Sequence, residues 1–411
     1  MNSCASLTRL RNVCFVLLAL VLMAAFSSAA SYQKIYSFTD VPDGRDPATR
    51  LTFDAAGNLY GTTAAGGEFD LGSVFRIAPD GTETILYSFS GGPDGSDPHG
   101  GVTIGSDGSL YGTAVAGGSG GSCAGDGCGV IYKLTLINGV WIESTLYSFR
   151  GGSDGFGPGT GLIFDAAGNL YGTAPDGGKH GAGVVFELSP VNGRWHFKVI
   201  HAFTGGKDGA VGSLGRLLVD SSGNLYGTAE LGGANGLGTV YKLSPTLRGV
   251  WRETTLYTFQ GIPDGANPFG GLIFDAAGNL YGTTYFGGNV GMGTVFQLSP
   301  GPNGGWQENV LNNFQGGTDG SFPTSTLLFN ASGILFGTTS TGGRPSCDCG
   351  TIFKLSLASG SWHERIVHFF GKGTDGYSPN YELTPDGNGN LFGATPAGGN
   401  QRIGMIYKLT P

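Results

Sequence analysis

Four cysteines carry the most evident chemistry in this sequence. They stand as "SCAGDGC" (Cys123, Cys128) and "SCDC" (Cys347, Cys349). In an oxidising compartment such close pairs form local disulfides, and that is the expected state. As CxxxxC and CxC they could also be two zinc half-sites. A second candidate is an Asp-Gly dipeptide that recurs seven times, at Asp43, Asp94, Asp154, Asp208, Asp264, Asp319 and Asp375. A ring of carboxylates could collect a cation. The alternative is a turn in which Asp bonds its own backbone and a Pro four residues on stiffens the exit. "DGxxP" lacks the alternating oxygen ligands of a calcium loop. A feature present in every copy reads as structural. Among six histidines (His99, His180, His196, His201, His363, His368) none makes a metal-spaced pair. Lys179–His180 beside Asp176 is the one local acid–base cluster. No Gly-x-Ser-x-Gly elbow, phosphate loop or dinucleotide fingerprint appears in its strand–helix context, and with glycine this abundant a lone Gly pattern means little. The expectation is therefore no catalytic residue, no metal and no cofactor.

These residues belong to a repeat, which dictates their placement. The aromatic of an "L-Y/F-G" tripeptide recurs at Tyr60, Tyr111, Tyr171, Tyr226, Tyr281, Phe336 and Phe392, and a Gly-Gly pair begins six residues after each. A β-branched run such as "GTVFQL" follows, then a run ending in Phe38, Phe89, Phe149, Phe203, Phe259, Phe314 or Phe370. The Asp-Gly lies five residues beyond that Phe. Strict offsets over such a period mean one repeated supersecondary unit. Short Val/Ile/Phe/Tyr/Thr runs between Gly, Asp and Pro clusters are strands, and no window carries a helical apolar period. In the fifth copy the four strands read "GLIFD", "NLYGTT", "TVFQLS" and "WQENVLNNF".

A four-stranded unit of this length predicts a propeller blade. The chain opens with an orphan fourth strand, Tyr32 to Phe38, and its last copy lacks one. Pairing the two removes two free edges. The fold expected is all-β: a seven-bladed propeller over residues 31–411, with strand 32–38 completing the blade formed by 379–411. His201 and His368 replace Tyr on the fourth strand and read as packing variants. Trp141, Trp195, Trp251, Trp306 and Trp362, at the start of outer strands, read as blade-edge cover rather than a sugar-stacking ladder.

The loops joining strands two and three share a face with the loops entering the next blade, so this Gly-rich face is the expected binding surface. Symmetry breaks there in two copies. From the second Gly of the pair to the Gly before strand three is five residues in five copies, but eleven in the second and seven in the sixth. Those insertions hold the four cysteines. Blades two and six would lie nearly opposite, a poor geometry for one shared zinc. The other variable positions of this face are Glu68, Asp70, Asp176, Lys179, His180, Glu230, Tyr285, Phe286, Arg344, Asp348 and Arg402. Acids, bases and aromatics together could bind a sugar or a peptide.

The motifs "GNLYGTT", "GG…GxGTVFKLSP", "LYSF" and "GGxDGxxP" resemble the GloVer tandem repeat of exported bacterial proteins, over essentially the whole chain after residue 30. The resemblance implies a β-propeller, implies no particular activity, and often comes with a C-terminal surface anchor. Here Pro411 follows the last strand directly, so unanchored secretion or periplasmic residence is expected.

Composition agrees. Gly is 79 of 411 residues, yet hydrophobics reach 39 % and charged residues only 13 %, the balance of a chain that buries a core rather than a disordered one. Arg9 and Arg11 precede a 14-residue apolar run (Val13 to Phe26) and "SSAAS", the pattern of a signal peptide over residues 1–30 cleaved after Ala30. The run is short for a membrane span of about 20 residues. Its removal would take two Arg from a net charge of −8 and leave −10. That argues against nucleic acid and anionic membranes as partners. The reading is an exported monomer binding a protein or glycan. A carbohydrate-active or lactone-cleaving enzyme with acids near the central channel is one alternative, and a structural envelope component another.

Overall fold

The computed structural model describes residues 30–411 except 122, 124, 213, 214 and 248, so the expected signal peptide lies, but for its last residue, outside the described residues. The chain forms seven four-stranded antiparallel blades. From the inner to the outer strand, blade one is Thr52–Phe53, Leu59–Thr63, Ser73–Ile77 and Glu83–Ser88. Blade five is Ile273–Phe274, Leu280–Thr284, Thr294–Pro300 and Trp306–Asn313. Blade seven takes Thr384–Pro385, Leu391–Thr395 and Met405–Thr410 from the end of the chain and Ser31–Ser37 from its start. Ser31 pairs with Thr410 and Ser37 with Met405, which closes the ring. The Thr384 hydroxyl then donates to the Leu51 carbonyl at 2.8 Å, joining blade seven to blade one. Among the described residues no helix is long and apolar enough to cross a membrane.

The repeated letters have local causes. The Gly of each "L-Y/F-G" pairs across the sheet with the aromatic of strand three, as Gly61 with Phe75 and Gly282 with Phe296. That ring lies over the glycine: a Cβ on Gly282 would meet Phe296 Cζ at 2.6 Å. The buried ring receives the terminal Phe of the preceding blade's outer strand edge-on. Phe89 meets Tyr132 at 5.0 Å, Phe259 meets Phe296 at 5.2 Å, and Phe38 meets Phe75 at 5.2 Å across the closure. Such edge-on pairs add about 0.5–1.5 kcal/mol beyond the area they bury. The core is thus a set of seams between blades, and strand two, covered on both faces, is buried throughout in blade one.

The Asp-Gly carboxylates serve the turns. Asp43 accepts from the Thr39 amide at 2.8 Å and from the Tyr36 hydroxyl, at the end of the preceding outer strand, at 2.9 Å. Tyr87–Asp94, Tyr147–Asp154 and Tyr257–Asp264 repeat the pair at 2.8–3.0 Å. His201 and His368 stand where Tyr would, 3.3 and 2.9 Å from Asp208 and Asp375. The tryptophans cover blade edges: Trp195, Trp251 and Trp362 meet Tyr111, Tyr171 and Tyr281 of the preceding blades.

A candidate funnel at the propeller axis

The two glycine-rich loops of each blade are zipped together. Gly118, Gly178, Gly233, Gly288 and Gly343 donate their amides to carbonyls of the Asp-Gly loops at 2.6–2.9 Å. Gly66 and Gly67 both have positive φ, and a Cβ on Gly66 would meet the Gly44 carbonyl carbon at 2.8 Å. The glycines that suggested a binding face therefore hold that face together.

The space for a ligand lies inside it, on the axis. In six of the seven copies the chain leaves its Asp-Gly turn through a left-handed residue before Pro: φ is 53° at Asp46, 57° at Asp97, 69° at Gly157 and 55° at Asn267, Phe322 and Ser378. Four residues later it passes the axis, immediately before the innermost strand. Around the ring these throat positions are Arg50, Gly101, Gly161, Arg216, Gly271, Thr326 and Glu382. The glycines fit there because blades touch backbone to backbone: a Cβ on Gly271 would meet the Arg216 carbonyl oxygen at 2.8 Å. The other four are charged or polar. Above them opens a cavity of about 380 Å³ whose lining includes Arg50, Arg216, Phe269, Tyr285, Tyr381 and Glu382.

The throat is an ion network. Glu382 pairs closely with Arg50, while Arg216 Nη2 lies 3.9 Å from the same carboxylate. The Glu382, Arg50 and Arg216 side chains are 13 %, 25 % and 32 % exposed. Burial pushes the Glu382 carboxyl up, but the Arg216 and Arg50 charges and bonds from Thr326 and Arg50 outweigh it, so it sits below the usual carboxylate range. It is a fixed anion. Burial also weakens the hold of Arg216 on its proton, opposed by Glu382 and reinforced by Arg50. Thr326 Oγ1 accepts from the Gly271 amide at 3.0 Å, which ties blade five to blade six at the throat.

The wall above is aromatic on one side and carries His99 on the other, with Asp97 bonded to it. Phe269 and Tyr285 have ring centroids 5.9 Å apart, and Tyr285 stacks on Phe322 at 4.9 Å. A left-handed Phe is costly backbone, on the order of 1–2 kcal/mol, and Phe322 is kept there with Tyr285 and Phe286 packed about it. Across the funnel, His99 Nε2 and Asp97 Oδ1 are 2.8 Å apart. The Asp46 carboxyl is raised, chiefly by burial, with His99 pulling it down and Asp97 pushing it up. Burial, with Asp46 and Asp97 nearby, also raises Tyr381. Asn380 Oδ1 is buried and has no hydrogen-bond partner among the described residues.

Of the residues expected from sequence, Tyr285 lines this funnel and Phe286 packs edge-on against it at 4.7 Å. The others lie elsewhere. Asp70 pairs with Arg45 at 2.8 Å and accepts from the Gly66 amide, stapling its own loop. The Glu68 amide donates to Ser88 Oγ. Asp176 bonds Phe156 through its backbone, and burial raises its carboxyl. Burial raises Glu230 too, and its carbonyl accepts from Asn267 Nδ2. Lys179, His180 and Asp348 are exposed, and Arg402 is exposed with φ of 65°. Arg344 lines a separate groove with Tyr32, Lys34, His368, Lys372, Thr374 and Asp375. Disulfides join Cys123 to Cys128 and Cys347 to Cys349; they pack on Gly151 and Gly371 respectively, away from the funnel. Among the described residues no group of three or more His, Cys, Asp or Glu could hold a metal. Sequence reasoning missed Arg50, Arg216, Thr326 and Glu382. Their signal was the residue before each "L-x-F"-like inner strand, where the repeats disagree.

A family model described as the Gloeobacter/Verrucomicrobia repeat matches residues 21–165, 119–344 and 251–411. No curated protein matches the sequence. Among solved structures, a fungal alcohol oxidase of the AA5 family, in complex with copper, is 15 % identical with a TM-score of 0.57, over 93 % of this chain and 77 % of its own. A protein described as a candidate 6-phosphogluconolactonase from Bacteroides uniformis is 14 % identical with a TM-score of 0.50, over 81 % of this chain and 88 % of its own. A candidate gluconolactonase is 16 % identical with a TM-score of 0.41, over 84 % and 96 %. At such identities the likeness establishes the fold alone.

Proposed function

Starting from a chain that belongs to the Gloeobacter/Verrucomicrobia repeat family, we propose an exported, non-catalytic propeller that takes a sugar-sized polar ligand into its axial funnel. One observation carries this reading: the throat is where the sevenfold repeat is abandoned for a partly buried Arg50–Glu382–Arg216 network beneath an aromatic wall. A cavity of about 380 Å³ is within the range of small-molecule sites. Aromatic faces suit the C–H face of a sugar ring, and Asn380, Ser325 and Thr326 supply polar partners for hydroxyls. The throat carboxylate, fixed as an anion between two guanidiniums, is unsuited to donate a proton. Export is supported by the two disulfides and by the leader-like first 30 residues.

Calorimetry against a panel of mono- and disaccharides tests the reading. Phe269→Ala with Tyr285→Ala should weaken binding about tenfold or more, and trimming the Cys123–Cys128 loop should leave it unchanged. Binding lost on trimming that loop, and retained in the aromatic variant, would move the site to the insertions. A hydrolytic reading has one observation in its favour, the raised Asp46 carboxyl near Asp97 and His99 at the rim. It requires turnover of a glycoside or lactone that Asp46→Asn abolishes.

A further inference from the structure

We infer that the funnel ligand is a sugar acid, a uronic acid unit whose carboxylate is received by Arg216; this rests on the funnel being the binding site. The argument begins with charge. Two guanidiniums face one carboxylate at the throat, all three at least two-thirds withdrawn from water. Arg50 holds Glu382 closely. Arg216, at 3.9 Å, is beyond hydrogen-bond distance of it, and no side-chain hydrogen bond from Arg216 is found among the described residues. The network thus keeps one net positive charge, and its Arg216 fork faces Glu382 only at ion-pair distance. Arg216 shares Glu382 with Arg50, so one guanidinium charge of the network is left uncompensated. A planar carboxylate accepting two parallel N–H bonds is the complement of that fork.

The remaining lining limits the ligand further. Asp97, 2.8 Å from the lining His99, and Asp46, whose charge acts on the lining Tyr381, disfavour a polyanion, so a ligand with a single negative charge that leads into the throat fits best. The unpartnered Asn380 Oδ1 is an acceptor waiting for a hydroxyl proton. Phe269 and Tyr285, 5.9 Å apart and tilted by 41°, give the same cavity an aromatic wall. Charge at the tip, hydroxyls behind it and a C–H face to stack describe a uronic acid better than an amino acid or a fatty acid.

The test is calorimetry of the purified protein with galacturonate and glucuronate, their methyl esters, the parent neutral sugars, and glucose 6-phosphate as the tetrahedral alternative. A charged hydrogen-bonded pair is worth about tenfold to a hundredfold in affinity. The acids should therefore bind at least about tenfold more tightly than their esters, and the preference should shrink at high salt. Arg216→Gln should abolish the preference, so that acid and ester bind with equal affinity. Since losing a buried guanidinium could perturb the fold, Arg216→Lys is the companion. It keeps the charge, lacks the fork, and should retain a reduced preference. Equal affinity of the wild type for acid and ester, a preference that survives in Arg216→Gln, or tighter binding of the phosphate would overturn the sugar acid and leave funnel binding standing. Failure of every sugar, charged or neutral, would overturn both.

Discussion

Acid should strengthen this propeller, chiefly because of glutamates at its seams. Six residues before the terminal Phe of the outer strands stand Glu83, Glu143, Glu253, Glu308 and Glu364. Each lies near the Asp of the Asp-Gly turn that enters its blade: Glu83 with Asp43, Glu143 with Asp94, Glu308 with Asp264, Glu364 with Asp319. Oε1 of Glu83, Glu308 and Glu364 is buried with no hydrogen-bond partner among the described residues. Burial first, and then these aspartates, push Glu83 up to about 8 and Glu143, Glu308 and Glu364 up to about 7. A carboxyl raised on folding contributes stability that is whole below its unfolded value, near 4.5, and is lost as the pH climbs through its folded value. The full effect is about 1.4 kcal/mol per pH unit for each group. These groups are only partly withdrawn from water, so screening reduces it by about half. Four groups between pH 5 and pH 7 then amount to roughly 4–6 kcal/mol. Urea unfolding followed by fluorescence of the five edge tryptophans, from pH 5 to pH 8.5, reads this directly. Wild type should lose stability steadily up to pH 8. The quadruple Glu→Gln variant, which copies the protonated form, should be nearly flat. Parallel profiles for the two proteins would refute the reasoning.

Two packing predictions accompany it. Phe38→Ala empties a fully buried site at the closing seam and should cost about 3–5 kcal/mol, read as a lower urea midpoint. Gly282→Ala places a methyl against the Phe296 ring and should cost about 1–3 kcal/mol through overpacking. The same substitution at Gly278, where an added Cβ meets nothing within 4 Å but φ is 82°, should act through backbone strain alone.

The architecture was open to reading because every blade restates it. Phe38 and Phe89 sit in the same seam role, so their spacing repeats; Tyr32 to Phe38 is plainly a fourth strand because six other copies show where one belongs. The Asp-Gly turns and edge tryptophans were understood as structure for that same reason. The site was mostly not legible, for the converse reason. Arg50 and Glu382 meet only because the ring closes the start of the chain onto its end, and a throat residue is a single letter per blade. Glycine-rich loops drew attention to the outer face, where glycines serve backbone packing. Of the expected residues Tyr285 lines the funnel because it follows a second strand, from which a side chain can reach the axis, whereas Lys179 and Asp348 are exposed on their loops.

Hydrogen–deuterium exchange with and without the tightest-binding sugar tests the central claim most directly. The account predicts slower exchange in peptides covering 97–101, 267–271, 322–326 and 378–382, which surround the funnel on four blades. Protection confined to the loops 118–129 and 343–350, with those four segments unchanged, would contradict it.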